Sequence, residues 1–577
     1  MPRDDKSKKS TSTPAGGSAG ADQKSQSRIN KSRGGSGRRG NTSEAKSQGS
    51  GGVAYMDPQL LADAASHAYS HAIGSPLEYD TDLRIAGPYT AQSLPGIMAI
   101  HTSISPGIST DNTSALNIAA RNIYSFVRHA NSGHANYDSP DLMMYLLAMD
   151  SAYAMFSYAQ RVYGIARTYS IVNRYYPKAI LSAMGCNPDD VVLHLADLRY
   201  ALNTLAIKIG SLCVPANMSF VTRHCQQYAN IYTDTPGVKH QMYMYVPAGF
   251  FIFEETAYPT GSSLRYCYFD RSVHTVQSII NDLNEMIEAL ICSEDINIMS
   301  GDILKAFGAE NVMKIGLIDE DYSVLPVFDP EVLMEINNTT CVGELKITEE
   351  TWEDGGPEFK YSPSNIWQRP DGAIVYNPIF GCSAPGMNSD VIVNMPMDVP
   401  APEHTLAATR LTNIMYKPRY DSATQIWDST LVSSGTEIAH FFVMYEFWDN
   451  PPYNWNLRVV PVERQFFFDK MASYEMIRLK NDDGDPQLSV LHALNALGKF
   501  SNHPIVNLVV PLDFGVYVSS EPFKANDPKC YQLIGRVGEL GTISTFSESD
   551  LTKMHNADLL SRYKVPLMGA WSEKVKR

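Results

Sequence analysis

From Ser139 to Ala166 apolar residues fill nearly every position of a 3.6-residue period. A helix apolar on all sides is a helix buried on all sides, and this run predicts one at the centre of the molecule. Asp150 is a carboxylate inside the most apolar part, Leu142 to Ala159. After Asn187-Pro188 the pattern becomes one-sided. Val192, Leu195, Ala196, Leu198, Ala201, Leu202, Leu205 and Ile209 recur at helical spacing and predict one long amphipathic helix. Val214-Pro215-Ala216 then reads as a break between two packed helices, with Asn217 capping the second. Further helices are expected at 57–73, 113–130, 217–230, 273–292, 302–308, 461–479, 486–498 and 548–562.

Helix starts carry their own signals. Asp57-Pro58, Ser139-Pro140, Asn187-Pro188 and Asp329-Pro330 each set a side-chain oxygen before a proline. The oxygen accepts a free N–H of the first turn, and proline there has no N–H to leave unpaired. Strands show as short apolar runs: Met242 to Phe253 with a bend at Pro247-Ala248-Gly249, Ala373 to Tyr376, Val391 to Val393, and Thr436 to Phe447. Punctuation changes along the chain. Residues 320–436 hold eighteen Pro or Gly and residues 113–235 hold eight, so the former read as strands and loops inserted in a helical base. Glu344 to Glu358 is acid-rich and expected to be exposed.

The first 52 residues break from all of this. They contain one Ile and no aromatic, and cannot bury enough apolar area to offset the entropy of ordering, so disorder is expected. They hold eleven bases (Arg3, Lys6, Lys8, Lys9, Lys24, Arg28, Lys31, Arg33, Arg38, Arg39 and Lys46) against four acids, a net of +7. The remaining chain holds 36 bases and 58 acids, a net of −22 within the total of −15. With 44% hydrophobic residues, that remainder has ample material for a core.

Little else points to chemistry. The eight cysteines form no Cys-x-x-Cys pair and read as buried, reduced thiols of a chain made inside a cell, with no zinc site. A leader peptide and a spanning helix are not evident. Gly35 to Gly40 spells G-x-G-x-x-G, but no strand precedes it and no helix follows, so it is no dinucleotide loop. Asn481 to Asp485 has the wrong spacing for a calcium loop and reads as a polar turn. His224 and Cys225 point about 100° apart on a helix, so a core Cys beside a hydrogen-bonded His is favoured over a shared ligand. His67 and His71 lack a third ligand, and Met143, Met144, Met149 and Met155 read as core. No catalytic residue, metal ligand or cofactor is assigned.

The basic segment is therefore the clearest functional signal. Lysine and arginine displace counterions from nucleic acid without reading sequence, so the eleven bases are assigned to nonspecific phosphate contacts with nucleic acid. A +7 arm on a −22 body is a poor ligand singly. Many arms converging inside a closed shell would make a good one.

Residues 190–234 and 239–255 resemble the capsid proteins of picobirnaviruses, whose segmented genome is double-stranded RNA. The pieces are Leu195-Ala-Asp-Leu-Arg199, Cys213-Val-Pro-Ala216, Arg223-His224 and Tyr243-Met-Tyr-Val-Pro-Ala-Gly249. The resemblance implies a structural protein of the virion, made in the host cytoplasm. It implies homodimers that close into an icosahedral shell, a largely helical shell domain, a projecting domain, basic N-terminal segments facing viral RNA, and a host receptor of unknown identity. In some members an N-terminal peptide is removed; no residue here is assigned to that step. The expected fold is mainly α with an inserted strand- and loop-rich (α+β) region: arm 1–52, helical shell domain 53–310, projecting domain 311–436, and 437–577 completing the shell. The alternative is a cellular, nonspecific RNA-binding protein with a basic tail; an enzyme of unfamiliar type is a third reading.

Overall fold

A computed structural model describes residues 76–77, 92–93 and 96–564, except 132, 134–135, 169–174, 237–240, 270–272, 348, 353–357, 383–390, 398, 422–425, 451–453, 463–464, 468–496, 513–529 and 539. All of them belong to one unit, His71–Arg577. The helix expected at 57–73, all but the last two residues of the one expected at 486–498, and the polar turn at 481–485 lie outside the described residues, as do His67, His71 and all eleven bases of the arm.

The apolar run does form one helix, Ser139–Ala166, and all but a few of its 28 residues are buried. Its cap is Asp138, one residue earlier than the proline rule suggested. The Asp138 carboxylate accepts from Asp141 N–H and the Asp141 carboxylate from Asp138 N–H, both at 3.4 Å. This reciprocal box satisfies two free donors, which Ser139 alone would not. Two charged side chains ride inside the helix, and both find hydrogen-bond partners. Arg161 donates to the carbonyls of Asn230 at 2.9 Å and Tyr245 at 2.6 Å. Asp150 meets His224, described below.

Around this helix the fold is mixed α+β. A five-stranded sheet runs in the order Asn454–Val462, Glu437–Asn450, Ile97–Ile104, Met242–Pro247, Tyr232–Thr233. Ile97–Ile104 lies parallel to Met242–Pro247 and antiparallel to Glu437–Asn450, pairing Ile97 with Met242 and Ile104 with Glu437. A strand from near residue 100 and one from near 440 are thus neighbours, and every residue of Ile97–Ile104 but His101 is buried. The strand after Gly249 turns away into an antiparallel hairpin, Gly249–Tyr258 with Gly261–Tyr268. Gly249 is required by space: a Cβ there would lie 2.2 Å from the Tyr266 ring and 2.7 Å from the Cys267 carbonyl.

Several expected elements appear shifted or divided. The run after Asn187 is two helices, Pro188–Leu193 and Leu195–Ile209, broken at His194. Asn187 caps the first as expected, its Oδ1 accepting from Asp189 and Asp190 N–H, and Asp329 does the same for Pro330–Asn337. Asn217 is not a cap; it is exposed, and Met218 precedes Ser219–Ala229 without a side-chain bond. The helix expected at 302–308 spans Glu294–Phe307, because the Ser293 hydroxyl accepts from Ile296 N–H and Ile296, Met299 and Ile303 continue its buried face. The one expected at 461–479 opens instead with strand, Asn454–Val462 and Gln465–Phe467, and its remainder lies outside the described residues. Tertiary pairing outweighs local helical spacing there. The last helix, Glu548–Arg562, stands as expected.

Six cysteines are described with free thiols. Cys186 and Cys341 are buried, whereas Cys292 is exposed because it ends a helix at the surface, against the expectation of uniform burial. No helix among the described residues is long and apolar enough to cross a membrane.

Candidate functional site

The helix Ser219–Ala229 presents Arg223 and His224, the pair singled out in sequence, to a buried charged cluster. Arg223 Nε donates to Glu437 Oε1 at 2.6 Å, and its two terminal nitrogens grip Glu335 at 2.6 and 3.2 Å. Arg410, at the end of the helix Pro402–Thr409, bonds Glu335 from the other side and Asp558 at 3.1 Å. Arg562 Nε joins Asp558 at 3.1 Å, one helical turn further on. His224 Nδ1 lies 2.8 Å from Asp150 Oδ2, and its Nε2 lies 3.2 Å from the Thr436 carbonyl and 3.4 Å from Glu437 Oε1. The Thr436 hydroxyl donates to Glu437 Oε2 at 2.6 Å.

The charges balance. Both ring nitrogens of His224 face acceptors, so both must donate, which is the imidazolium form. Burial works to lower its pKa, but the Asp150 carboxylate and then Glu437 overcome this and leave it raised to about 9. Three guanidiniums and this imidazolium face four carboxyl groups, Asp150, Glu335, Glu437 and Asp558; burial leaves Asp150 and Glu335 raised, while His224 pulls the first down and Arg223 and Arg410 the second. Glu437 is wholly buried, yet Arg223 and His224 hold it well below the usual carboxylate range. Such a cluster is tolerable in a low-dielectric interior only because each ion is both paired and hydrogen-bonded.

His555 nearby behaves oppositely. Its Nε2 donates to the Thr409 carbonyl at 2.9 Å and its Nδ1 accepts from the Ser433 hydroxyl at 2.8 Å, the pattern of a neutral ring. Burial lowers its pKa to about 4. The two histidines give opposite pH windows. His224, with a folded value above the unfolded 6.5, contributes stability that is full below pH 6.5 and fades as pH rises through 9. His555, with a depressed folded value, contributes above pH 6.5 and loses this as pH falls toward 4. Going from pH 7 to 4.5 should therefore cost His555 about 2–3 kcal/mol. Denaturant titrations at both pH values check this. A His555→Asn variant that keeps the full acid loss would remove His555 as its source.

The sequence did contain part of this site. Asp150 stood out as a charge in an apolar run, and Arg223-His224 belonged to the quoted motif. Glu335, Arg410, Glu437, Asp558 and Arg562 carried no local signal, since each is an ordinary helix-end or strand-start charge until the chain folds. His224 beside partly buried Cys225 matches the core reading. Among the described residues no group of three or more His, Cys, Asp or Glu is arranged to hold a metal.

Every ion of the cluster is paired with another ion of the same chain. The fold and this site define a structural protein: a large α+β subunit closed by a buried ionic clamp. The family model for the picobirnavirus capsid protein matches residues 55–475, and the chain belongs to that family. It is 32% identical over 431 residues to the capsid protein precursor of Human picobirnavirus (strain Human/Thailand/Hy005102/-), covering 68% of this chain and 76% of that protein. Its fold is similar to that in the X-ray crystallographic structure of the picobirnavirus capsid, with a TM-score of 0.71 at 20% identity over 89% of this chain and 98% of the other. It is a viral capsid protein, and its place is the virion.

Proposed function

We propose that this capsid protein pairs into homodimers, closes into an icosahedral shell and packages double-stranded RNA through the bases of residues 1–52. The observation that carries the packaging is the segregation of charge, +7 on 1–52 and −22 on the rest. An acidic body repels a polyanion, so attraction must come from the arm, and a shell concentrates many arms in one interior.

Self-association is supported by an exposed apolar stripe. Tyr200 and Ile207, seven residues apart on Leu195–Ile209, are 77% and 69% exposed, and Leu193 at the end of Pro188–Leu193 is 77% exposed. Their helices bury Leu198, Leu202, Leu205 and Ile209 inward, so these three remain outside for a neighbour. The projecting part is assigned to 311–436, more narrowly to the sheet ordered Met415–Asp421, Ile426–Leu431, Phe380–Cys382, Glu344–Leu345. The helices Pro330–Asn337 and Pro402–Thr409 of that segment supply Glu335 and Arg410 to the clamp and belong with the shell parts, 53–310 and 437–577. A host receptor would meet the projecting sheet, and synthesis in the host cytoplasm fits six free thiols.

Negative-stain electron microscopy of the purified protein tests assembly. Uniform closed particles are expected from the native chain. Tyr200→Asp, which sets a charge in the stripe, should leave folded subunits that no longer close. Intact shells from that variant would remove the stripe from the interface.

A further inference from the structure

We infer that an aromatic cleft beside residues 350–379 is a binding site for a neutral pyranoside, a single sugar ring or a short uncharged glycan. The cleft encloses about 320 Å³, at the small end of the range typical of small-molecule sites.

Two short hairpins build it. Glu350–Trp352 pairs with Phe359–Tyr361, and Trp367–Gln368 with Ile374–Val375. Trp367 is buried and forms the floor, with Tyr361 at 4.7 Å and Trp352 at 5.3 Å between ring centroids. Trp352 and Tyr361 are themselves half-buried and meet at 77°. They form a corner, where a nucleobase would want parallel faces. A corner suits a puckered ring whose C–H groups point in two directions.

The polar groups decide the class of ligand. The Glu350 carboxylate is exposed and held by the Tyr361 hydroxyl at 2.9 Å. The Arg369 guanidinium lies 5.1 Å from the Trp352 ring centre and donates to the Thr110 carbonyl at 3.1 Å. Asn377 and Thr430 add an amide and a hydroxyl. Glu350 and Arg369, the latter also 3.7 Å from Asp371, leave the cleft with no dominant positive or negative field, so charge alone favours a guest of neither sign. What remains is a neutral molecule with many hydroxyls, which carboxylate, guanidinium and amide grip two at a time.

One wall, the segment around Ile374 and Tyr376, is fixed before any ligand arrives. The Asn117 side chain, from the core helix Ala115–Ala130, accepts from Ile374 N–H at 2.8 Å and donates to Ile374 O at 2.9 Å. Ser109 and Tyr376 exchange backbone bonds at 2.9 Å. A wall set in advance lowers the entropy lost on binding, which a weak sugar ligand needs.

Saturation-transfer difference NMR on the full-length protein tests the site. The probes are methyl glycosides of glucose, galactose, fucose, N-acetylglucosamine and N-acetylgalactosamine, with choline, N-acetylneuraminic acid and adenosine as contrasts. At least one neutral glycoside should bind saturably at roughly millimolar concentration, and Trp352→Ala and Glu350→Gln should each weaken it by about tenfold or more. Glu350 is exposed, so its variant reads the site even if the Trp352 variant folds poorly. The proposal is overturned if no neutral glycoside binds, if Glu350→Gln binds as the native chain does, or if choline, neuraminic acid or adenosine binds more tightly than every neutral glycoside. None of these outcomes depends on whether residues 1–52 package RNA.

Discussion

Replacing Arg223 by alanine should destabilise the subunit by about 3–5 kcal/mol, the largest effect expected of a single substitution here. The figure reflects what is left behind. Arg223 holds two carboxylates, Glu335 and Glu437, whose side chains are 1% and 0% exposed. Without it, among the described residues, Glu437 keeps His224 and the Thr436 hydroxyl, and Glu335 keeps Arg410. Neither can recover water. Lysine should restore part of the loss but not all, since a point charge cannot reproduce three directed bonds to two carboxylates. Pairing the alanine with Glu437→Gln should recover stability, because the stranded charge is gone. Chemical denaturation of unassembled subunits measures all three. A loss below about 1 kcal/mol would mean that the cluster is hydrated in solution and works as surface pairs do.

Removing residues 1–52 should leave shell formation largely intact and cut the RNA carried per particle severalfold. Eleven bases depart with the segment, and the remaining chain is net −22. If each arm neutralises six to ten phosphates, affinity for RNA should also fall roughly 10³- to 10⁵-fold between 50 and 200 mM salt. The ratio of absorbance at 260 and 280 nm of purified particles, with extraction of their RNA, measures the first. Filter binding across salt measures the second. Particles of the shortened chain with undiminished RNA would end the assignment of Arg3 to Lys46 to packaging. Replacing only Arg28, Lys31, Arg33, Arg38 and Arg39 should give an intermediate content, because phosphate contacts of this kind add by charge and carry no sequence.

The clamp draws its members from both sides of the boundaries read from composition. Residues 311–436 stand out by their Pro and Gly, yet Glu335 and Arg410 lie within them and close the same network as Asp150 and Asp558. Composition reports how often the chain turns. It does not report which side chains come back to the core after turning.

Local chemistry alone determined several features of this protein. The segregation of charge is a property of the chain itself. The helix Ser139–Ala166 follows from an apolar run long enough to leave no polar face, and Glu548–Arg562 from its periodicity and its Ser547 cap. Tertiary structure decided the rest. Arg223 meets Glu335 across 112 positions and Glu437 across 214, and Ile97–Ile104 finds partners near 245 and 440. The expected helix near 461 became strand because a neighbouring strand offered its backbone better bonds. Such meetings depend on the whole core closing at once, since the cost of burying a charge falls only when its partner arrives from elsewhere in the chain.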